Sequence, residues 1–274
     1  MKNLIKIEFI KTFGYPGFRT IILLHAILFL LVTTIGSQIN LNIQGLRIDK
    51  LFAFPHIWAT FSWIGSWFNL LLGIIVIILV GNEHQFRTFR KQLIDGLSRN
   101  QILYSKMVII TILALYALLI VLLTGFVFGL IYSNNISLSD IFEKTSYVLV
   151  LFVQSFAYMM LGMLFALIFK SNALSIVTFI LFFFPIEPIL RVFFPSQIDQ
   201  FFPIKIISNL TPMPDFVGIT TSDLIQINGS SPASFQNMGI TTESLSVGIS
   251  TLVCIGYITV FYFIAKQIVK RYNF

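Results

Sequence analysis

The side chains that could act as nucleophiles, general bases or metal ligands are few and scattered along this sequence. There are three histidines, His25, His56 and His84, and a single cysteine, Cys254, which lies inside an apolar run. None of the histidines has a cysteine or an acidic cluster beside it, whereas a metal site needs several such ligands at short spacing. We therefore expect no catalytic residue, no cofactor and no metal site, so that the chain is not itself an enzyme.

The densest group of polar side chains lies between two long apolar runs, at 81–102. Within it, Phe86, Phe89 and Leu93 recur at steps of three and four, which is the spacing of one face of a helix. Basic residues such as Arg90 lie at the edge of this face. Such a helix can be a docking surface for a partner protein, or it can rest on lipid headgroups with its basic residues only setting the topology.

Local signals predict how this helix begins and ends. Glu83 and Arg87 are four residues apart with the acid first, so they can pair on the helix surface. Gly96 is placed to end the helix in a left-handed conformation. Ser98 and Gln101 have the spacing of a capping box, which starts a new helix. The prediction is a short amphipathic helix, a sharp turn and a long helix that continues into the next apolar run.

Two further residue pairs are candidate sites. Gly125 and Gly129 have the Gly-x-x-x-Gly spacing that allows close packing of helices. Glu187 and Arg191 lie four residues apart at the end of an apolar run, beside two prolines. Charges within a membrane are costly and therefore a functional lead, here as an outer gate or an interface pair. The alternative interpretation is that the run ends there and the two charges pair at the lipid headgroups.

The composition of the chain indicates whether water or lipid surrounds it. Hydrophobic residues make up 57% of the 274 residues and charged residues only 11%, and the mean hydropathy is +0.89. A soluble domain has about 25% charged residues, so this chain could not cover itself with a polar surface in water. The sequence indicates an all-α integral membrane protein.

The apolar runs predict six transmembrane helices in a single domain that spans 1–274. Each run is close to the ~20 residues that cross the hydrocarbon core. The predicted spans are about 20–35, 57–80, 103–132, 147–169, 173–194 and 246–265.

Two segments outside the spans have their own patterns. Residues 1–17 mix apolar and basic residues and end in Gly-Tyr-Pro-Gly, which predicts an amphipathic interfacial helix followed by an elbow. The long segment 195–245 contains several prolines, yet its first part is apolar. We expect this extracytoplasmic segment to lie on the outer leaflet or to re-enter it, and to be available to a partner on that side.

The distribution of basic residues predicts the orientation. With six spans and both termini in the cytoplasm, thirteen of the 18 lysines and arginines lie on the cytoplasmic side, as the positive-inside rule requires. The net charge of +7 is therefore explained by topology, and no nucleic-acid partner is needed.

The loop resembles the signature of ABC transporter permeases of the ABC-2 exporter type. In that family a glutamate follows the second span, then come a threonine with basic residues, a turn with Ser-Arg, and a lysine at the start of the third helix. The matching residues here are Glu83, Thr88, Arg90, Ser98, Arg99 and Lys106. The chain departs from the family in two places, because Arg87 stands before the threonine where glycine is common and Leu97 stands before Ser-Arg where proline is common.

The resemblance implies that 81–102 contains the coupling helix, which seats on a separate ATPase subunit. On this expectation the coupling residues are Glu83, Phe86, Thr88, Phe89, Arg90, Leu93, Ser98, Arg99 and Lys106. ATP would be bound by the partner, since this chain lacks the Gly-Lys pair of a phosphate-binding loop. The resemblance also implies two ATPase copies and a second permease, identical or related, in a bacterial cytoplasmic membrane.

The function expected from these features is the membrane-spanning permease of an ATP-binding cassette exporter. One alternative is a non-transporting membrane scaffold or mechanical transducer that recruits or is driven by a cytoplasmic ATPase. A secondary transporter is the other alternative, and it predicts ionisable residues in mid-span together with pseudo-repeats, neither of which is visible in the sequence.

Overall fold

The computed structural model describes residues 2–38, 51–133, 137–214 and 245–271. Within these ranges the secondary structure is helical, with no strand. The α-helices in chain order are α1 (Lys2–Gly14), α2 (Pro16–Gln38), α3 (Ile57–Trp67), α4 (Asn69–Gln85), α5 (Thr88–Ile94), α6 (Arg99–Tyr132), α7 (Leu138–Phe142), α8 (Ser146–Phe169), α9 (Asn172–Leu181), α10 (Glu187–Val192), α11 (Ser196–Asp199), α12 (Pro203–Ser208) and α13 (Val247–Arg271). The second part of the predicted segment 195–245 lies outside the described residues.

Five helical segments are long and apolar enough to cross a membrane, namely α2, α6, α7 with α8, α9 through α10, and α13. A sixth crossing is formed if α3 and α4 are one span, and these two helices meet at an angle of 42°. The predicted class, an all-helical multi-pass membrane protein, is confirmed. The bend between α3 and α4 was not predicted, because the apolar run continues through Phe68 without proline or glycine at the break.

The span that contains α9 and α10 is irregular in the middle. A π-helix, Phe182–Ile186, joins the two α-helices and contains Pro185. Proline has no N–H to donate to the preceding turn, and a π-helical turn is one way in which a helix absorbs this defect. The irregularity therefore takes the form of a wider helical turn within a continuous segment.

Helix α8 lies at the centre of the bundle and packs against α3, α4, α6, α9 and α13. Its contact with α4 is close because two glycines face each other. A Cβ atom on Gly162 would lie 2.8 Å from the carbonyl oxygen of Gly73, and a Cβ on Gly73 would lie 2.6 Å from the ring of Phe179. In a membrane, helix association depends on this kind of close packing, since lipid supplies no hydrophobic driving force between helices.

Gly125 and Gly129 do provide a packing surface, but aromatic rings occupy it. A Cβ on Gly125 would lie 3.0 Å from the ring of Trp58, and a Cβ on Gly129 would lie 2.4 Å from the ring of Phe54. The predicted helix-packing pair therefore joins α6 to α3 and to the segment before α3. The contact is made within one chain, by side chains that fill the space above each glycine.

Four apolar residues of 201–210 are buried within the protein. Ile204, Ile206, Ile207 and Leu210 belong to the main hydrophobic core, where α12 packs against α8 and α13. The expectation that the segment 195–245 lies on the outer leaflet or re-enters it stays a prediction, and these four side chains pack against the protein. These side chains face the bundle because α12 lies between α8 and α13.

Candidate functional site

The predicted helix of 81–102 is broken at its start. Helix α4 continues to Gln85, and Arg87 adopts a left-handed conformation with φ 54° before α5 begins at Thr88. A residue in this conformation cannot continue an α-helix. The position is the one at which Arg87 replaces the glycine common in ABC-2 permeases, and glycine is the residue that adopts this conformation most easily.

The break separates the side chains that were expected to share one apolar face. Phe89 is 2% exposed and Leu93 packs against the core, whereas Phe86 and Ile94 are 66% and 75% exposed. Helix α5 is thus held to the protein by Phe89 and Leu93, and it presents Arg90 to the outside together with the two exposed apolar side chains.

The predicted turn after α5 is present. Gly96 has φ 90°, in the left-handed region that favours glycine. The amide of Gln101 donates to Ser98 Oγ at 3.3 Å, and the amide of Ser98 donates to the Gln101 side chain at 2.8 Å. This capping box starts α6, which confirms the helix boundary read from the sequence.

Behind α5 lies a cluster of four charges, three of which are buried. The Lys106 ammonium of α6 donates to both Glu8 of α1 and Glu83 of α4, the latter at 2.5 Å. Lys11 of α1 donates to the same two carboxylates. Glu8 and Glu83 are each 3% exposed and Lys106 is 6% exposed. We call Glu8, Lys11, Glu83 and Lys106 the charge cluster.

The charge cluster corrects one prediction, because Glu83 does not pair with Arg87 along the helix. Glu83 points away from solvent toward α1 and α6, while Arg87 is exposed beyond the end of α4. The cluster also contains two residues that sequence reasoning had not assigned to the site, Glu8 and Lys11. The available signal was Lys106, a cation in an otherwise apolar stretch of α6 with no acid within one helical turn.

The ionisation of the two α1 residues is set by their partners. Burial raises the pKa of the Glu8 carboxyl, but the attraction of Lys106 and Lys11 outweighs burial, so its pKa lies below the ordinary 4.5. Burial lowers the pKa of the Lys11 ammonium, but Glu83 and Glu8 outweigh burial, so its pKa lies above the ordinary 10.5. Both groups are therefore charged at neutral pH, and the cluster contains two positive and two negative charges.

Further bonds tie the loop to its surroundings. Gln92 of α5 donates to Glu8 at 3.3 Å, and the Thr88 hydroxyl donates to the carbonyl of Glu83 at 3.4 Å. The Arg99 guanidinium donates to the carbonyls of Val269, at 3.1 Å, and Lys270 at the end of α13. A cation suits this position, since the last carbonyls of a helix are unsatisfied and carry partial negative charge.

A groove separates α1 from α5 on the surface of this site. It has a volume of about 430 Å³ and is lined by Leu4, Ile7, Lys11, Thr88, Lys91, Gln92, Asp95 and Leu97. A smaller cleft of about 200 Å³ lies directly above the charge cluster. The elements α1, α4, α5, α6 and α13 therefore meet at one end of the bundle, with open space between them.

The second predicted charge pair is not formed. Glu187 is 1% exposed, and its two carboxylate oxygens accept the backbone amides of Ile204 and Lys205, each at 2.8 Å. Arg191 lies 3.3 Å from Asp199, which also pairs with Lys205. The segment 196–208 folds back against α10. Glu187 and Arg191 therefore both bind this segment instead of pairing with each other.

The predicted coupling residues fall into two groups, those exposed around α5 and those that contact other elements. Phe86, Arg90 and Ser98 are exposed around α5. The side chains that the structure joins to other elements are those of Glu83, Thr88, Phe89, Leu93, Arg99 and Lys106. Among the described residues, no group of three or more His, Cys, Asp or Glu side chains could hold a metal ion.

Comparison with known families agrees with this arrangement. A family described as ABC-2 family transporter protein matches residues 4–186, which is more than half of the chain and includes α1, the charge cluster and the whole loop. No curated protein sequence matches the chain. Membership of this family implies an ABC ATPase partner and a membrane location. The chain therefore belongs to the ABC-2 transporter family and is a multi-pass permease component of an ABC transporter.

Proposed function

We propose that this chain is the membrane-spanning permease of an ABC exporter, and that α5 is the coupling helix on which a separate ATPase subunit acts. ATP would be bound and hydrolysed by that subunit, and this chain would carry out no chemistry and hold no cofactor. The complex would contain two ATPases and a second permease, identical or related, in the bacterial cytoplasmic membrane with both termini in the cytoplasm.

The observation that carries this proposal is the charge cluster behind α5. A coupling helix must pass a displacement to the spans, and a cluster that joins α1, α4 and α6 within one small volume provides that link. Buried ion pairs of this kind contribute little net stability, because the cost of removing the charges from water offsets their attraction. Their presence at this place is better explained by the connection that they make.

The route continues from the cluster along the spans. Phe89 and Leu93 hold α5 against the core, and Arg99 ties the start of α6 to the end of α13. A push on α5 would therefore move the adjoining ends of α4, α6 and α13 together. The bend between α3 and α4 and the π-helix in the fifth span are the places where the backbone is already irregular and where such a movement can be absorbed.

The exposed side chains of α5, together with that of Phe86 just before it, would form the contact with the ATPase. Phe86 and Ile94 supply apolar surface, and Arg90 supplies charge between them. Aromatic side chains and arginine are enriched where interfaces are strongest. The groove between α1 and α5 would accept side chains of the partner, which makes α1 part of the same docking surface.

The test is affinity isolation of the tagged chain in a mild detergent, with copurified proteins identified and ATP hydrolysis measured. We expect an ATPase subunit in equal amount, and its loss in the variant Arg90→Ala. Arg271→Ala is the matched control, because Arg271 is also an exposed arginine at this end of the bundle but belongs neither to α5 nor to the lining of the groove between α1 and α5. Isolation of the chain without any nucleotide-binding protein would contradict the proposal.

A further inference from the structure

A second cavity lies within the bundle, away from α5. It has a volume of about 340 Å³ and is lined by residues of α3, α4 and α8, the π-helix and the segment after α12. This volume is within the range of small-molecule sites, which begin at roughly 300 Å³. None of the residues assigned to coupling lines it.

The two irregular places of the backbone border this cavity. Trp67 and Leu70 lie on either side of the break between α3 and α4, and Phe183 and Phe184 belong to the π-helix. Irregular backbone at membrane depth occurs where it is buried in protein or lines a cavity, and π-helical turns are frequent at functional sites. The two breaks therefore create the space between them.

The walls of the cavity are aromatic and are set at steep angles. The rings of Trp63 and Trp67 have centroids 4.6 Å apart at an interplanar angle of 74°. Those of Phe183 and Phe184 are 5.0 Å apart, also at 74°. The ring of Tyr158 lies 5.5 Å from Phe183. Five ring systems thus line the space, and the rings that contact each other lie at different angles.

The side-chain amide and hydroxyl groups of Ser66, Gln154, Ser208 and Thr211 in the lining already have partners. The Gln154 amide donates to the carbonyl of Ile207 at 2.8 Å, and its oxygen accepts from Thr211 at 3.1 Å and from Asn69 at 3.2 Å. No aspartate, glutamate, lysine or arginine is among the described lining residues. A guest would therefore meet aromatic rings and uncharged polar groups, with no charged side chain among the described lining residues.

We propose that this aromatic cavity binds a quaternary ammonium group. The face of an aromatic ring is electrostatically negative and attracts a cation, and cages of several rings are the usual sites for alkylated ammonium groups. Such a group has no N–H to donate, so it needs no hydrogen-bond acceptor from the uncharged lining. The cavity opens beside Trp67 and Phe184, which are 52% and 60% exposed, so a guest can enter from the bilayer.

As a site for cargo, the aromatic cavity deepens the proposed exporter function and rests on it. The group could belong to a free organic cation or to the choline headgroup of a lipid, since both carry the same trimethylammonium. Binding itself depends on this chain alone. It can therefore be measured without the ATPase, so that failure of the cavity and failure of the exporter assignment give different results.

The experiment measures binding of radiolabelled benzyltrimethylammonium to the purified chain by equilibrium dialysis in an uncharged maltoside detergent. Unlabelled choline should displace the probe, whereas its uncharged carbon isostere, in which carbon replaces the ammonium nitrogen, should not. Trp67→Leu and Phe183→Leu keep apolar bulk but remove a ring face, and each should weaken binding by about tenfold. Phe263→Leu, at an exposed ring on α13, is the matched control and should bind normally.

Equal displacement by choline and its isostere would overturn the proposal, as would normal binding in both cage variants or no binding at all. Thermal unfolding of each variant shows whether it is folded. If Phe183→Leu does not fold, the binding measured for Trp67→Leu alone decides whether the proposal holds. Displacement of the probe by a short-chain phosphatidylcholine is then compared with displacement by the matching phosphatidylglycerol. This comparison identifies whether the bound ammonium group belongs to a lipid headgroup or to a free cation. Displacement by the choline lipid alone assigns the headgroup, and displacement by neither lipid assigns a free cation.

Discussion

Lys106 is the residue on which the charge cluster depends, because it is the buried cation shared by two buried carboxylates. Glu8 and Glu83 belong to different helices, so without Lys106 they would repel each other across the junction of α1 and α4. Lys11 remains as a partner, but it is one third exposed and contributes less.

The variant Lys106→Met should therefore be strongly destabilised. Removing one partner of a buried ion pair leaves an uncompensated charge and costs about 3 to 5 kcal/mol. We expect a clear decrease in the thermal unfolding temperature in detergent. Lys91→Met, at an exposed site on α5, should unfold as the native chain does. A double variant that adds Glu83→Gln removes one negative charge as well and should recover part of the loss; no recovery would mean that the charges are not coupled.

The pKa values predict how stability depends on pH. The pKa of Glu8 is lowered in the folded chain, so its contribution is complete above the ordinary 4.5 and is lost as pH falls through the lowered pKa. The pKa of Lys11 is raised, so its contribution is complete below the ordinary 10.5 and is lost as pH rises through the raised pKa. The cluster is therefore intact throughout the neutral range.

Thermal unfolding measured from about pH 3 to 8 tests this sign. The unfolding temperature should fall on the acid side, and the fall should be smaller in Glu8→Gln, which has no carboxyl to protonate. An acid limb of equal size in the native chain and in Glu8→Gln would show that other carboxylates cause it.

Among the elements, α4 and α8 are two spans that pack closely at a pair of facing glycines. Gly162 faces the backbone of Gly73 directly, whereas Gly256 of α13 has open space where a Cβ would lie. Two glycines in similar helices thus have opposite environments.

Substitution by alanine should therefore change the stability of the protein differently at the two positions. Gly162→Ala places a methyl group against a backbone carbonyl that cannot move easily, and overpacking of this kind costs about 1 to 3 kcal/mol. Gly256→Ala should be neutral or stabilising by up to about 1 kcal/mol, since alanine is the better helix former. The measurement is thermal unfolding of both variants in the same detergent, and equal effects at the two sites would show that α4 and α8 are not closely packed.

For the whole molecule, the bond from Arg99 to the end of α13 is the longest-range connection of the loop. It joins residues 170 positions apart and makes the last span part of the assembly that α5 would move. If the ends of α6 and α13 move as one unit, the distance between them should not depend on nucleotide.

Spin labels at the exposed residues Tyr104 and Gln267 test this in the complex with the ATPase, after replacement of Cys254 by alanine. The distance distribution should stay narrow with and without ATP. In Arg99→Ala it should broaden when ATP is added, because the carbonyls of α13 lose their partner. Arg271→Ala should behave as the native chain, and an unchanged distribution in Arg99→Ala would remove this bond from the coupling route.

The sequence alone determined the features that depend on residues near each other along the chain. The apolar runs indicated the membrane and the helices, Gly96 and the Ser98–Gln101 capping box set the turn before α6, and the pattern from Glu83 to Lys106 identified the family that residues 4–186 match. These signals are local, because helix propensity, capping and hydropathy act within one or two turns.

Tertiary structure decided which distant residues meet. Glu83 had an acceptable partner four residues away in Arg87, yet it pairs with Lys11 and Lys106. Arg87 itself adopts a left-handed conformation after the end of α4, and this turns its side chain away from Glu83. Likewise Glu187 holds the amides of the returning segment 203–208 instead of pairing with Arg191. Ion pairs and cavities form wherever packing brings charges and rings together, and sequence spacing contains that information only for neighbours on one helix. The aromatic cavity, whose walls come from three separate spans, could be seen only in the folded chain.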